Sequence, residues 1–153
     1  MSTINTYSDI FRRDKLEAKF DEIDNAIYVA EVALTSAQIK ALNTTPVEVV
    51  AAAGAGTVLE LVGAVVIFDY GTTQYASGGD VVLEEETSGT DLSSTVGAAV
   101  IQAAADSLTS VTPVAATLTA NKGIFVTCAT GDFTTGDGVI RIKASYRVHN
   151  TGL

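Results

Sequence analysis

The sharpest pattern in this chain lies near its end, where Ile140, Ile142, Ala144, Tyr146 and Val148 alternate with Arg141, Lys143, Ser145, Arg147 and His149. A period of two with one apolar and one charged side predicts an antiparallel strand over 139–148 with one wet face. Residues 57–70 are richer still in apolar side chains: Val58, Leu59, Leu61, Val62, Val65, Val66, Ile67 and Phe68. They predict one long strand, or two joined by a bulge at Gly63, covered on both faces by the core and by a neighbouring subunit. Shorter runs predict strands over 26–34 (apolar at Ile27, Val29 and Val32), 47–52, 80–85, 96–101, 111–119 and 123–129. Gly54-Ala55-Gly56, Gly71-Thr72-Thr73 and Ser77-Gly78-Gly79 punctuate them as turns, and 87–95 reads as a polar loop.

Helical spacing is confined to three places. Leu16, Phe20, Ile23 and Ile27 recur at intervals of four, three and four, placing them on one face of an N-terminal helix that Ser8 can cap. Thr35 with Gln38 forms a capping box, and Leu34 with Ile39 a hydrophobic staple, so a helix of one or two turns follows residue 35. Asn43 serves as its C′ residue, and Pro46 stops it. A further short helix is expected over 103–108. Strands at intervals of 8–12 residues make the fold class all-β: an antiparallel, jelly-roll-like β-sandwich with a charged N-terminal helix and one short capped helix.

Composition sharpens this division. Residues 9–24 hold ten charged side chains in sixteen positions, whereas Gly, Thr and Val dominate afterwards. An N-terminal helical arm over 1–25 and a sandwich domain over 26–153 follow. A formal charge of −9 disfavours a broad nucleic-acid surface, which needs clustered Lys and Arg. No apolar run is long enough for a membrane-spanning helix, and 1–30 lacks the basic-then-apolar order of a secretion signal.

Candidate chemistry is sparse. Cys128 sits in the apolar run Ile124-Phe125-Val126-Thr127-Cys128, which predicts a buried, inert thiol. His149 falls on the wet side of the last strand, and no Gly-x-Ser-x-Gly elbow accompanies it. Glu84-Glu85-Glu86 is expected to be a solvated strand end. Asp132 and Asp137, in Gly131-Asp132-Phe133-Thr134-Thr135-Gly136-Asp137-Gly138, lack EF-hand spacing and predict turn chemistry rather than a calcium site. No catalytic residues, metal ligands or cofactor are therefore assigned, and no enzyme activity is expected.

From Leu34-Thr35-Ser36-Ala37-Gln38-Ile39-Lys40-Ala41-Leu42-Asn43 through Gly54-Ala55-Gly56 to Phe68-Asp69-Tyr70-Gly71, the chain resembles virion structural proteins of tailed bacteriophages, of the capsid decoration or cement type. Asn121-Lys122-Gly123, the turn at 135–138 and the strand Arg141-x-Lys143-x-Ser145-Tyr146-Arg147-Val148 add to the likeness. The resemblance implies a jelly-roll-like domain that binds the outer surface of a phage shell, as a homotrimer on the major capsid protein, after assembly in the host cytoplasm. It implies neither a nucleic-acid nor a membrane partner. The helix face Phe11, Leu16, Phe20, Ile23 and Ile27 is the expected partner-binding set. Two other readings are a tail, neck or fibre-base component and a carbohydrate-binding module using Tyr70, Tyr75 or Phe133.

Overall fold

A computed structural model describes residues 26–86 and 89–152, together with Lys15. The N-terminal helix, its Ser8 cap and the partner-binding positions Phe11, Leu16, Phe20 and Ile23 lie outside the described residues. Ile27 lies within them and is exposed.

Nine strands and two short helices are present among the described residues: β1 (Tyr28–Leu34), α1 (Ser36–Ile39), β2 (Val47–Val50), β3 (Thr57–Asp69), β4 (Tyr75–Ser77), β5 (Val81–Glu85), α2 (Ala98–Ile101), β6 (Ser107–Val111), β7 (Ile124–Cys128), β8 (Phe133–Thr135) and β9 (Val139–Asn150). One antiparallel sheet runs β1-β9-β3-β6 and a second runs β2-β7-β5. Residues 91–96 extend the second sheet beyond β5 through the antiparallel bridges Val81↔Val96 and Glu84↔Asp91. The first and last strands lie side by side, and the chain alternates between two layers, as in a jelly roll. A small third sheet, β4-β8, closes one end.

Burial of one face of each sheet drives this arrangement. β9 presents Ile140, Ile142 and Ala144 inward, each fully buried. β3 contributes Leu59 and Leu61, then Ala64, Val66 and Phe68. The inward parity changes between Leu61 and Ala64 because the register against β9 shifts between Leu61 and Gly63. That bulge, expected at Gly63, keeps both halves of the strand in the core; without it one half would turn outward. From the other layer come Val50, Val81, Leu83, Ile124, Val126 and Cys128. Helix α1 forms as its sequence dictates: Thr35 accepts from the Gln38 N–H, Gln38 reaches back to the Thr35 N–H, and Leu34 and Ile39 are both fully buried.

Several local expectations change. Residues 98–101 are helical and 107–111 form a strand, the reverse of the order expected, because a short apolar run such as Ala98-Ala99-Val100-Ile101 carries no decisive period. Strand β6 is instead placed by tertiary contacts: it pairs with β3, and Asp106 accepts from the Tyr70 N–H at 2.8 Å. Residues 112–119 are not a strand; the Ser94 N–H donates to the Thr112 carbonyl and the Val114 N–H to the Leu92 carbonyl, which pull this segment away from β3. The polar run 91–96 is correspondingly ordered, with Leu92 and Ser93 buried. On β1, Ala30, Val32 and Leu34 face the core, while Val29 stands 68% exposed and Ile27, just before the strand, 52%. Asn43 is not a helix C′ residue, since α1 already ends at Ile39 with Lys40 as its C-cap.

Candidate functional site

The residues that suggested chemistry prove to be structural ties. Asp132, which precedes β8, accepts from the Asn43 N–H at 2.7 Å, the Thr44 N–H at 3.1 Å and the Thr44 hydroxyl at 3.0 Å. Partial burial alone would raise its pKa, but these three bonds outweigh it and hold the carboxyl below its ordinary range. Asn43 completes the tie by donating its side-chain N–H to the Cys128 carbonyl. Asp137 does the same job on the other side of β8, taking the Thr72 hydroxyl at 2.6 Å and the Thr72 and Thr73 N–H groups at 2.8 Å each. The Thr72 hydroxyl is the main cause of its lowered pKa. Each aspartate thus fastens one loop, and no metal-ligating cluster of three or more His, Cys, Asp or Glu occurs among the described residues.

Cys128 is fully buried, and burial pushes its thiol pKa up, with the nearby Asp132 charge adding to the effect. Its Sγ donates to the Gly131 carbonyl at 2.8 Å. Such a thiol has little thiolate character.

The acidic run is not a solvated strand end. Glu84 and Glu85 are buried, and Glu85 accepts the Thr119 N–H at 2.7 Å. Glu86 pairs with Lys122 at 3.1 Å. Glu85 thereby fastens the far end of segment 112–119, whose near end is held by Ser94 and Leu92. A strand-end carboxylate receiving a backbone donor from a distant loop leaves no trace in local sequence.

His149 is also more than a wet surface residue. Its Nε2 lies 2.7 Å from Glu60 Oε2, and Arg147 Nη1 approaches the same oxygen at 3.7 Å. Both bases project from β9 and Glu60 from β3, where the register sets Glu60 opposite Arg147. This trio lines one side of a cleft of about 630 Å³, whose other side is Pro113, Val114 and Leu118. Sequence reading missed the cleft because its lining comes from three separate stretches of chain, at Glu60, 113–118 and 147–149, and the wall at 113–118 was expected to be a strand.

The aromatic side chains proposed for sugar binding divide sharply. Tyr75 and Phe133 are buried against one another with ring centroids 5.8 Å apart, and Phe68 lies 6.1 Å from Tyr75. Of the three only Tyr70 is not fully buried, and it is half-buried against the core. A stacking platform for a sugar ring cannot be made from the other two.

The wet face of β9 is neutralised by its neighbours. Arg141 grips Asp69 at 2.9 and 3.2 Å, and Lys143 meets Glu31 at 3.3 Å. On the same sheet face Val29 of β1 and Leu108 of β6, the two edge strands, stand 68% and 69% exposed. The face is therefore charge-balanced, with one exposed apolar side chain on each edge strand.

No protein-family model matches the chain, and no curated protein does. Among solved structures it is similar to one described as "Cyanophage Pam1 capsid asymmetric unit", at 15% identity and a TM-score of 0.42, over 80% of this chain and 83% of that one.

Proposed function

We propose that this chain is a bacteriophage virion structural protein of the capsid decoration type, which binds the outside of the shell as a homotrimer and stabilises it. One observation carries the reading: among the described residues Asp132, Asp137, Glu85 and Cys128 are committed to holding loops and strands, while an outer sheet face is left charge-balanced with an exposed apolar side chain on each edge strand. The resemblance of residues 34–70 to tailed-phage structural proteins supports the same reading, since these residues form a continuous part of the core through the end of β1, α1, β2 and β3. A shell protein present in many copies acts by avidity, so each contact can be modest. In this reading the protein is not an enzyme, takes no cofactor, and contacts neither nucleic acid nor membrane.

The helix face Phe11, Leu16, Phe20, Ile23 and Ile27 is the proposed anchor on the major capsid protein. The test is co-sedimentation of the purified chain with undecorated shells, comparing residues 1–153 with 26–153. Loss of attachment with a still-folded domain supports the anchor; equal retention overturns it. The glycan-binding alternative is weakened by the burial of Tyr75 and Phe133, and a tail or neck location is distinguished by the same sedimentation experiment using isolated tails.

A further inference from the structure

The four-stranded sheet is incomplete along part of one edge. Strand β6 pairs with β3 only at residues 64–68, and beyond Val111 the chain turns toward 91–96. Residues 58–62 of β3 are consequently paired on one side only, with β9. The direction of their polar groups can be read from the two residues at the start of the strand. The Thr151 N–H donates to the Gly56 carbonyl on the β9 side at 2.8 Å, and the Asn121 N–H donates to the Thr57 carbonyl on the opposite side at 2.8 Å. Alternation along a strand then aims the N–H and C=O groups of Leu59 and Leu61 away from β9, into the cleft walled by residues 113–118. Among the described residues, no backbone hydrogen bond reaches these two residues on that side. An open strand edge inside a cleft is a template for an added strand.

We propose that this edge receives residues 2–7 of a second copy of the chain as an added strand. The segment Ser2-Thr3-Ile4-Asn5-Thr6-Tyr7 is rich in β-branched and aromatic residues and contains no Gly, Pro or charge. Residues 9–24 form its tether, spanning about 24 Å if helical. The chain enters the sheet at β1, two strands from β3, a lateral distance of about 10 Å. A tether of that length is long enough to reach the cleft of a neighbouring copy. Its surplus of acids, six against four bases, approaches Arg147 and His149, two bases that share the single carboxylate of Glu60. Each copy gives one strand and takes one, a head-to-tail contact that closes into a ring.

The experiment compares the full chain, a chain lacking residues 2–7, and Ile4→Pro, by amide hydrogen exchange at Leu59 and Leu61 and by light scattering. None of the changed residues lies in the described fold, and an unchanged urea transition of the sandwich checks this. The expected result is an oligomeric full chain in which the two amides exchange about tenfold or more slower than in either variant, with a lower mass for both variants. Equal exchange in all three chains overturns the proposal. A monomeric full chain with slow amides also overturns it, assigning the edge to the arm of the same copy. Slow amides that appear only on phage shells assign it to a shell peptide instead. Shell attachment is not read in the solution arms, so their outcome is independent of the virion role.

Discussion

Gly136 lies directly over the ring of Tyr75, so closely that a Cβ on it would overlap the aromatic carbons. The same relationship joins Gly78 to Phe133, and both glycines have positive φ, +73° and +83°. Each glycine follows one strand of the β4-β8 pair and covers an aromatic ring of the other strand. The short pair is thus closed by two backbone-on-ring contacts rather than by its few hydrogen bonds. Gly136→Ala combines left-handed strain with a clash against a buried ring and should cost about 2 kcal/mol or more. Thermal unfolding followed by circular dichroism checks this; a change within about 0.5 kcal/mol would mean that the ring moves freely.

Tyr75 should make the fold sensitive to alkali. Its hydroxyl donates to the Gly138 carbonyl at 2.7 Å, and burial, assisted by the Asp137 charge, raises its pKa from 10.0 to about 12. A group whose folded pKa is raised contributes stability that is complete below the unfolded value and is lost as pH rises through the folded one. Stability should therefore fall between about pH 10 and pH 12. Tyr75→Phe should make that fall shallower, leaving the part due to the buried Cys128 thiol, while costing about 1–3 kcal/mol at pH 7 because a buried carbonyl loses its donor. Urea titrations across this pH range read both effects.

At the acid end the sign reverses. The carboxyls of Asp69, Asp132 and Asp137 are held below their usual values, Asp69 chiefly by its hydrogen bond to Arg141. Stability from these groups is present above the unfolded value of 3.8 and is lost as pH falls through the folded values. Asp137→Asn should flatten the acid limb of the stability profile, and an unchanged limb would show that Asp137 contributes nothing to it.

Glu85 tests the wall of the cleft. Replacing it by Ala leaves the Thr119 N–H without its acceptor and should cost about 1–3 kcal/mol. Glu85→Gln retains an amide oxygen and should recover part of this. Faster exchange at the Thr119 amide in Glu85→Ala, measured by nuclear magnetic resonance, is the local readout.

In the proposed anchor, Phe20→Asp should weaken shell attachment as much as deleting residues 1–25, without altering the unfolding transition of the sandwich. Co-sedimentation unaffected by Phe20→Asp would remove the apolar helix face from the attachment site.

Elements built on strong periods were legible in advance. The alternation of 139–148 names the inward residues of β9, the run at 57–70 names β3 with its bulge, and Thr35 with Gln38 names α1. The candidate site was far less legible. Glu60 and His149 are 89 residues apart and meet only because β3 and β9 pair in one particular register. Glu85 was misread as solvated because its acceptor role depends on Thr119, 34 residues away. The weak-period region 96–119 was misassigned because its helix and strand are decided by what packs on Ala98–Ile101 and by which neighbour β6 finds.

The sequence by itself determined the all-β class, the placement of the strongest strands and the capped turn. Those follow from side-chain alternation, branching and local hydrogen bonding, all of which act within a few residues. Only the tertiary structure decided that Tyr75 and Phe133 are core rather than surface, that Asp132 and Asp137 bind loops, and that β3 keeps an open edge beside a cleft. These depend on sheet register and on where a segment leaves the sheet, and both are set by minimising exposed apolar area and unpaired backbone over the whole chain.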